Sequence, residues 1–227
     1  LGPKRNRIFC EEIIKRGIEI SMKVYFRADS VKDDSESIEL YRLYKEAGID
    51  VIILGIEAGS DEELEFYGKD ASLEDNYRGV RVLTDLDSFF VHNGFIMFGP
   101  YSTLTTLRKN LEFLGNSRLC FRFSNLASFL ILTPGAAIYD LMAEENRLIH
   151  KSNFWELPDY EFSNPLVLKL AQHFQEVRGC YSNIDIGNNL VISCQNLLSR
   201  LKNKMNRNIV SQCGKEIQDF TTVFNQS

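Results

Sequence analysis

Apolar residues recur along this chain with two alternating periods. From Arg5 to Arg16 they fall at helical spacing, with Ile8, Phe9, Ile13 and Ile14 on one side and Gly17 as the stop. Ile18 to Arg27 changes to a period of two through Ile20, Met22, Val24 and Phe26, which predicts a strand. Ser35 to Ala47 reads as a second helix ended by Gly48. Asp50 to Glu57 follows as a near-continuous apolar run, the pattern of a strand buried on both faces. The unit then recurs: a helix from Ser72 to Leu86, a strand from Phe89 to Phe98, a Gly99-Pro100 turn and a helix from Thr103 to Leu114. A strand from Arg122 to Leu132 and a helix from Ala136 to Arg147 close the series. Strands alternating with helices of this length predict an α/β fold of parallel βαβ units, about four strands in succession.

Beyond His150 the rhythm changes. Trp155, Tyr160 and Phe162 lead into helical stretches around Asn164 to Arg178, Asn188 to Lys204 and Ile209 to Phe224. The expected organisation is an α/β domain over 1–149 followed by a helical extension over 150–227.

Composition removes several function classes. The 227 residues are 44% hydrophobic, enough for a sizeable core. The net charge is −5, and charges of both signs are interspersed with no basic stripe, so nucleic acid is not an expected partner. No segment reaches the roughly 18 to 20 uninterrupted apolar residues of a membrane helix, so a soluble, cytoplasmic chain with no membrane partner is expected. The five cysteines are dispersed, with no C-x-x-C or C-x-x-x-C pair, which argues against a disulfide framework and against a local metal site. His92, His150 and His173 are likewise far apart. The chain begins Leu1-Gly2-Pro3 without a methionine and enters an amphipathic helix almost at once, the start expected of a cut through an ongoing fold.

Candidate chemistry concentrates where the second strand ends, in Leu54-Gly55-Ile56-Glu57-Ala58-Gly59-Ser60-Asp61-Glu62. An apolar run terminates there in a carboxylate, Gly59 allows a tight turn, and Ser60 to Glu63 reads as a capping box opening a helix whose amides can hold an anion. Glu57 is either a helix-flanking acid or an acceptor for ribose hydroxyls or an amino group. Lys69 is either a solvated lysine or a cation for a ligand carboxylate. Ile96, in the run Asn93 to Pro100, is either strand core or an aliphatic surface for a purine ring. Arg27 and Asp29, at the end of the first strand, are either a surface pair or part of the same mouth. Lys23 is a remote Schiff-base candidate.

Taken together, Glu57-Ala58-Gly59-Ser60, the later Lys69, the Gly94 to Pro100 strand with Tyr101-Ser102-Thr103, and Leu132-Thr133-Pro134-Gly135 resemble the radical S-adenosylmethionine (radical SAM) enzymes. The branch they look most like often carries a cobalamin-binding domain. The resemblance covers roughly residues 1 to 148 and implies a partial (β/α) barrel, entered at its second helix. It implies S-adenosylmethionine as cofactor, a four-iron four-sulfur (4Fe-4S) cluster held by a CxxxCxxC loop after the first strand, and cobalamin in an associated domain. Glu57 would contact the ribose or amino group, Ser60 would support it, Lys69 would hold the methionine carboxylate and Ile96 would pack near adenine. Thr133 and Pro134 would lie near cofactor and substrate. The implied activity is reductive cleavage of S-adenosylmethionine to start radical chemistry on a small molecule or peptide, with an external reductant. Two departures stand out: Gly94 replaces a polar residue often found there, and the cluster loop is missing from these residues. A cluster-less barrel serving as a binding or interaction module is the alternative, and an iron-free lyase using Lys23 a third.

Overall fold

The computed structural model describes residues 2–86, 88–117, 123–151, 153 and 156–180, with 194 and 215 as single positions. Helices α1 (Pro3–Lys15), α2 (Ser35–Glu46), α3 (Asp61–Phe66), α4 (Leu73–Asp85), α5 (Leu104–Asn116), α6 (Phe123–Leu126), α7 (Ala137–Glu144) and α8 (Pro165–Cys180) are joined with strands β1 (Met22–Arg27), β2 (Ile49–Glu57), β3 (Phe90–Phe95), β4 (Leu148–Ile149) and β5 (Asp159–Tyr160). Two compact units result. Among the described residues the first runs to Gly55 and takes in Asp75–Gly94 with positions 194 and 215, and the second comprises Ile56–Glu74 and 95–180.

The first unit holds the three-stranded sheet, in the order β1-β2-β3, apart from the last residues of β2 and β3. β1 pairs with β2 in parallel, Val24 opposite Ile52 and Phe26 opposite Leu54. Ile52 and Leu54 are fully buried, as the unbroken apolar run of β2 requires. β1 lies at the edge and alternates between half-buried and exposed positions, with Lys23, Tyr25 and Arg27 on the exposed side. It starts at Met22 rather than Ile18, because Met22 already faces Ile49, the first residue of its partner strand. Ile18 and Ile20 precede the ladder and are exposed. α1 turns Cys10 and Ile13 inward, and Asn6 Nδ2 donates to the Tyr44 hydroxyl of α2 at 2.9 Å. Lys45, in the last turn of α2, meets Asp50 of β2 at 2.9 Å with both side chains nearly buried.

In the second unit a core of Leu132, Ile138 and Met142 is flanked by Tyr67, Tyr101 and Tyr160. β4 and β5 form a two-residue antiparallel ladder that the sequence pattern did not signal. Arg147 ties this hairpin down, donating to the carbonyls of Glu161 (2.6 Å) and Pro100 (3.3 Å). Among the described residues, the fourth strand expected over Arg122 to Leu132 is reduced to one parallel bridge, Phe98 to Phe129, and Arg122 itself falls outside them. Phe123–Leu126 is a short helix instead, and Ser128 then spends its hydroxyl on the Asn125 carbonyl at 2.9 Å, the local bonding by which serine competes with strand structure. The expected helix around 164–178 is α8, while those over 188–204 and 209–224 fall outside the described residues. No helix among the described residues is long and apolar enough to cross a membrane.

Candidate functional site

β2 ends in an unusual backbone. Glu57 adopts φ +64°, a left-handed conformation that costs a residue with a Cβ about 1–2 kcal/mol. The Ala58 N–H donates to the Ile56 carbonyl at 2.8 Å, closing a γ-turn around Glu57, and the Glu57 carbonyl accepts from the Ile96 N–H at 2.7 Å. The strand terminus is therefore pinned on both sides of the strained residue, and its half-buried carboxylate is presented at the turn.

Lys69 reaches this carboxylate, with Nζ 3.2 Å from Glu57 Oε1 and both side chains partly exposed. The sequence between them explains how. Ser60 caps α3 by accepting from the Glu63 N–H, and the helix stops after one and a half turns at Gly68, whose φ is +64°. Gly68 N–H donates to the Glu65 carbonyl and Lys69 N–H to the Leu64 carbonyl, each at 2.9 Å. That pair of bonds is a Schellman closure, which returns Lys69 toward the strand end.

Gly59 does something other than turn the chain. A Cβ there would lie 2.6 Å from Phe113 Cβ and 2.9 Å from Asn110 Cα, so glycine is required for the close approach of α5. Its N–H donates to Asn110 Oδ1 at 2.7 Å.

Glu63 departs from the capping-box expectation. Its backbone N–H is taken by Ser60, but its carboxylate turns inward and accepts from Ser102 Oγ (2.5 Å), Thr106 Oγ1 (3.1 Å) and Asn110 Nδ2 (2.7 Å). Glu63 is 2% exposed, and burial pushes its carboxyl above the usual range, partly offset by these hydrogen bonds. Tyr67 lies beside the network with its hydroxyl against Gly99 and no hydrogen-bond partner among the described residues. Burial, followed by the Glu63 charge, drives the Tyr67 hydroxyl far above the ordinary phenol range. With three acids in its first turn and six residues in all, α3 is not an anion site.

Glu57, Lys69 and Ile96 are thus joined by direct hydrogen bonds, with Ser60 at the same turn. Ile96 is half-buried beside Glu57. Thr133 and Pro134 are exposed on the turn before α7, where the Thr133 carbonyl accepts from the Ala136 N–H at 3.1 Å. Arg27 and Asp29 pair with each other in the first unit. Asn110, Ser102 and Thr106 were missed by sequence reasoning. The available signal was the four-residue spacing of Thr106 and Asn110, which sets two polar side chains in line on an otherwise apolar face of α5, whereas Ser102 precedes the helix and shares no such pattern.

Among the described residues no group of three or more His, Cys, Asp or Glu could hold a metal ion. The described residues do not fit an iron–sulfur cluster. They do fit a zwitterion: a carboxylate and an ammonium 3.2 Å apart present the complement of an α-amino acid, with an aliphatic side chain alongside.

No family model matches the chain. Over 123 residues, half of the chain, it is 33% identical to the 4'-phospho-dehydrooxetanocin synthase of Priestia megaterium, covering 16% of that protein. It is 35% identical over 83 residues, 36% of the chain, to the anaerobic magnesium-protoporphyrin IX monomethyl ester cyclase of Cereibacter sphaeroides, covering 13% of it. The solved structure of the cobalamin-dependent S-adenosylmethionine radical enzyme OxsB, with aqua-cobalamin and S-adenosylmethionine bound, superposes on 98% of this chain with a TM-score of 0.63 and 18% identity, covering 36% of that structure. The chain spans well under half the length of each of these three proteins.

Proposed function

We propose, for a chain that is a radical S-adenosylmethionine enzyme homologue in sequence and fold, that the Glu57 turn is the part of such an enzyme that holds the amino-acid end of S-adenosylmethionine. The observation that carries this reading is the strained, left-handed Glu57, whose carboxylate stands 3.2 Å from Lys69. On binding, the internal pair opens: Glu57 takes the ligand ammonium or ribose hydroxyls and Lys69 takes the carboxylate, so one ion pair is exchanged for two charge-assisted contacts. Ser60 keeps the turn in place by capping α3, Ile96 offers an aliphatic surface to the adenine, and Thr133 and Pro134 belong to the substrate side.

The ligand, when bound beside a reduced four-iron four-sulfur cluster, supplies reductive sulfonium cleavage that starts radical chemistry. The cluster ligands are assigned to protein outside these 227 residues, since the sequence contains no CxxxCxxC spacing. Cobalamin, carried by the solved neighbour, is assigned to a separate domain in the same way. The reading makes this chain a fragment of a cytoplasmic enzyme that uses an external reductant and a small-molecule or peptide substrate. It is tested on the full-length protein after anaerobic iron reconstitution, by S-adenosylmethionine binding and by 5′-deoxyadenosine formation. Glu57→Gln and Lys69→Ala are each expected to lose binding while remaining folded, and unchanged binding in both would overturn the assignment.

The dispersed cysteines favour one second reading, a cluster-less barrel that acts as a binding module. A full-length protein that takes up no iron yet binds S-adenosylmethionine would select it.

A further inference from the structure

Asn110 is fully buried and touches both the turn that carries Glu57 and the acid of the next helix. Its orientation is not free. The Gly59 N–H can only donate, so Oδ1 must face it, and Nδ2 is left for Glu63. The far side of Glu63 is directed through Ser102, whose Oγ accepts from the Gly99 N–H at 2.9 Å and so leaves its proton for Glu63. Thr106 Oγ1 accepts from the Thr103 N–H at 2.9 Å and shares its proton between Glu63 Oε1 and the Thr103 carbonyl, each at 3.1 Å. Every group in the chain from Gly99 to Gly59 therefore has one polarity, with Glu63 as the acceptor in the middle.

We propose that Asn110 is a positioning residue for the Glu57 turn, holding Gly59 through Oδ1, and that Glu63 locks the Asn110 amide in the orientation this requires. The lock lies one residue from Ala58, whose N–H closes the γ-turn, and so resists relaxation of Glu57 out of the left-handed region. The consequence for a ligand rests on the reading of Glu57 given above. The lock itself does not.

A polarity swap isolates the idea. In Glu63→Gln, the amide oxygen keeps the two hydroxyls and sets an NH2 against the Asn110 NH2. If Asn110 flips to relieve this, it turns a donor toward the Gly59 N–H. In Asn110→Asp, the Gly59 bond is kept but a carboxylate faces Glu63. In Asn110→Asp/Glu63→Gln, the introduced glutamine amide donates to the new carboxylate, which still accepts from Gly59, and every bond is restored with the charge moved by one side chain.

The experiment uses the full-length protein and two readouts: amide hydrogen exchange over residues 57–60, and dissociation constants for S-adenosylmethionine and for 5′-methylthioadenosine, which lacks the amino-acid group. Each single variant is expected to speed exchange over 57–60 and to weaken S-adenosylmethionine about tenfold, the scale of one misdirected buried hydrogen bond, and the double variant to recover both. 5′-Methylthioadenosine binding should not follow the swap. Single variants that alter melting temperature alone, or a double variant no better than the worse single one, would overturn the proposal. A wild-type protein that binds no S-adenosylmethionine removes the ligand reading. Exchange that still follows the swap then upholds the lock, and exchange indifferent to it overturns the lock as well.

Discussion

At the end of β1, Arg27 clasps Asp29 through Nε to Oδ1 at 3.0 Å and Nη2 to Oδ2 at 2.7 Å; at the end of β2, Glu57 meets Lys69 through one contact of 3.2 Å. By contact geometry the first pair is the better one. It spans two residues, its arginine is 62% exposed, and neither residue has a left-handed backbone. The second pair spans twelve residues and is assembled by a strained turn, a capped helix, a Schellman closure and a helix that fits only against glycine. A close ion pair is inexpensive to form locally, so its geometry says little about function. A weaker pair that the fold strains its own backbone to present says more.

Gly59→Ala should break the second region most severely. Its methyl group would meet α5 at distances that real Cβ atoms do not tolerate, at a cost of about 2–3 kcal/mol, read as a fall in the denaturant midpoint.

Glu57→Gly sharpens the contrast by moving stability and function in opposite directions. Glycine accepts φ +64° without strain, so stability should rise by about 1 kcal/mol after its extra chain entropy is subtracted, while S-adenosylmethionine binding is lost. A variant both less stable and still binding would show that the strain does not serve the ligand.

The two regions should also respond to pH with opposite signs. Burial holds the Glu63 carboxyl above its unfolded value, so the folded state binds this proton more tightly. Its contribution is fully present below the unfolded carboxylate range and is lost as pH rises through the raised folded value. The hydrogen bond from Arg27 holds Asp29 below the usual range, opposed by burial and aided by the Arg27 charge. That contribution is present above the unfolded value and is lost as pH falls through the lowered one. Chemical denaturation across acid to neutral pH should show the Glu63 slope vanish in Glu63→Gln.

The smallest effect belongs to Arg27→Ala. Exposure and salt screening limit it to about 0.5 kcal/mol, with no change in ligand binding and loss of only the weak acid-side slope from Asp29. A larger loss, or weakened ligand binding, would place Arg27 in the functional mouth after all.

Much of the first unit was legible along the chain. The helix over 35–46, the buried strand ending at Glu57 and the helix over 73–85 follow from periodicity and from stop signals that act within four residues. Glu57 and Lys69 were readable as separate candidates of opposite charge at the end of that strand and beyond it, but their direct contact was not. The strand expected over Arg122 to Leu132 was not secure, because Ser128 and Asn125 could satisfy the backbone locally.

The sequence by itself determined the alternation of helices and strands, the carboxylate at the end of β2 and the lysine beyond it, because each depends on near neighbours. Tertiary structure alone decided that Glu57 is left-handed, that Gly59 is needed for contact rather than for turning, and that Glu63 abandons its cap. The partners of Glu63 lie 39, 43 and 47 residues away, and a buried carboxylate must be satisfied by whichever donors the packing brings to it.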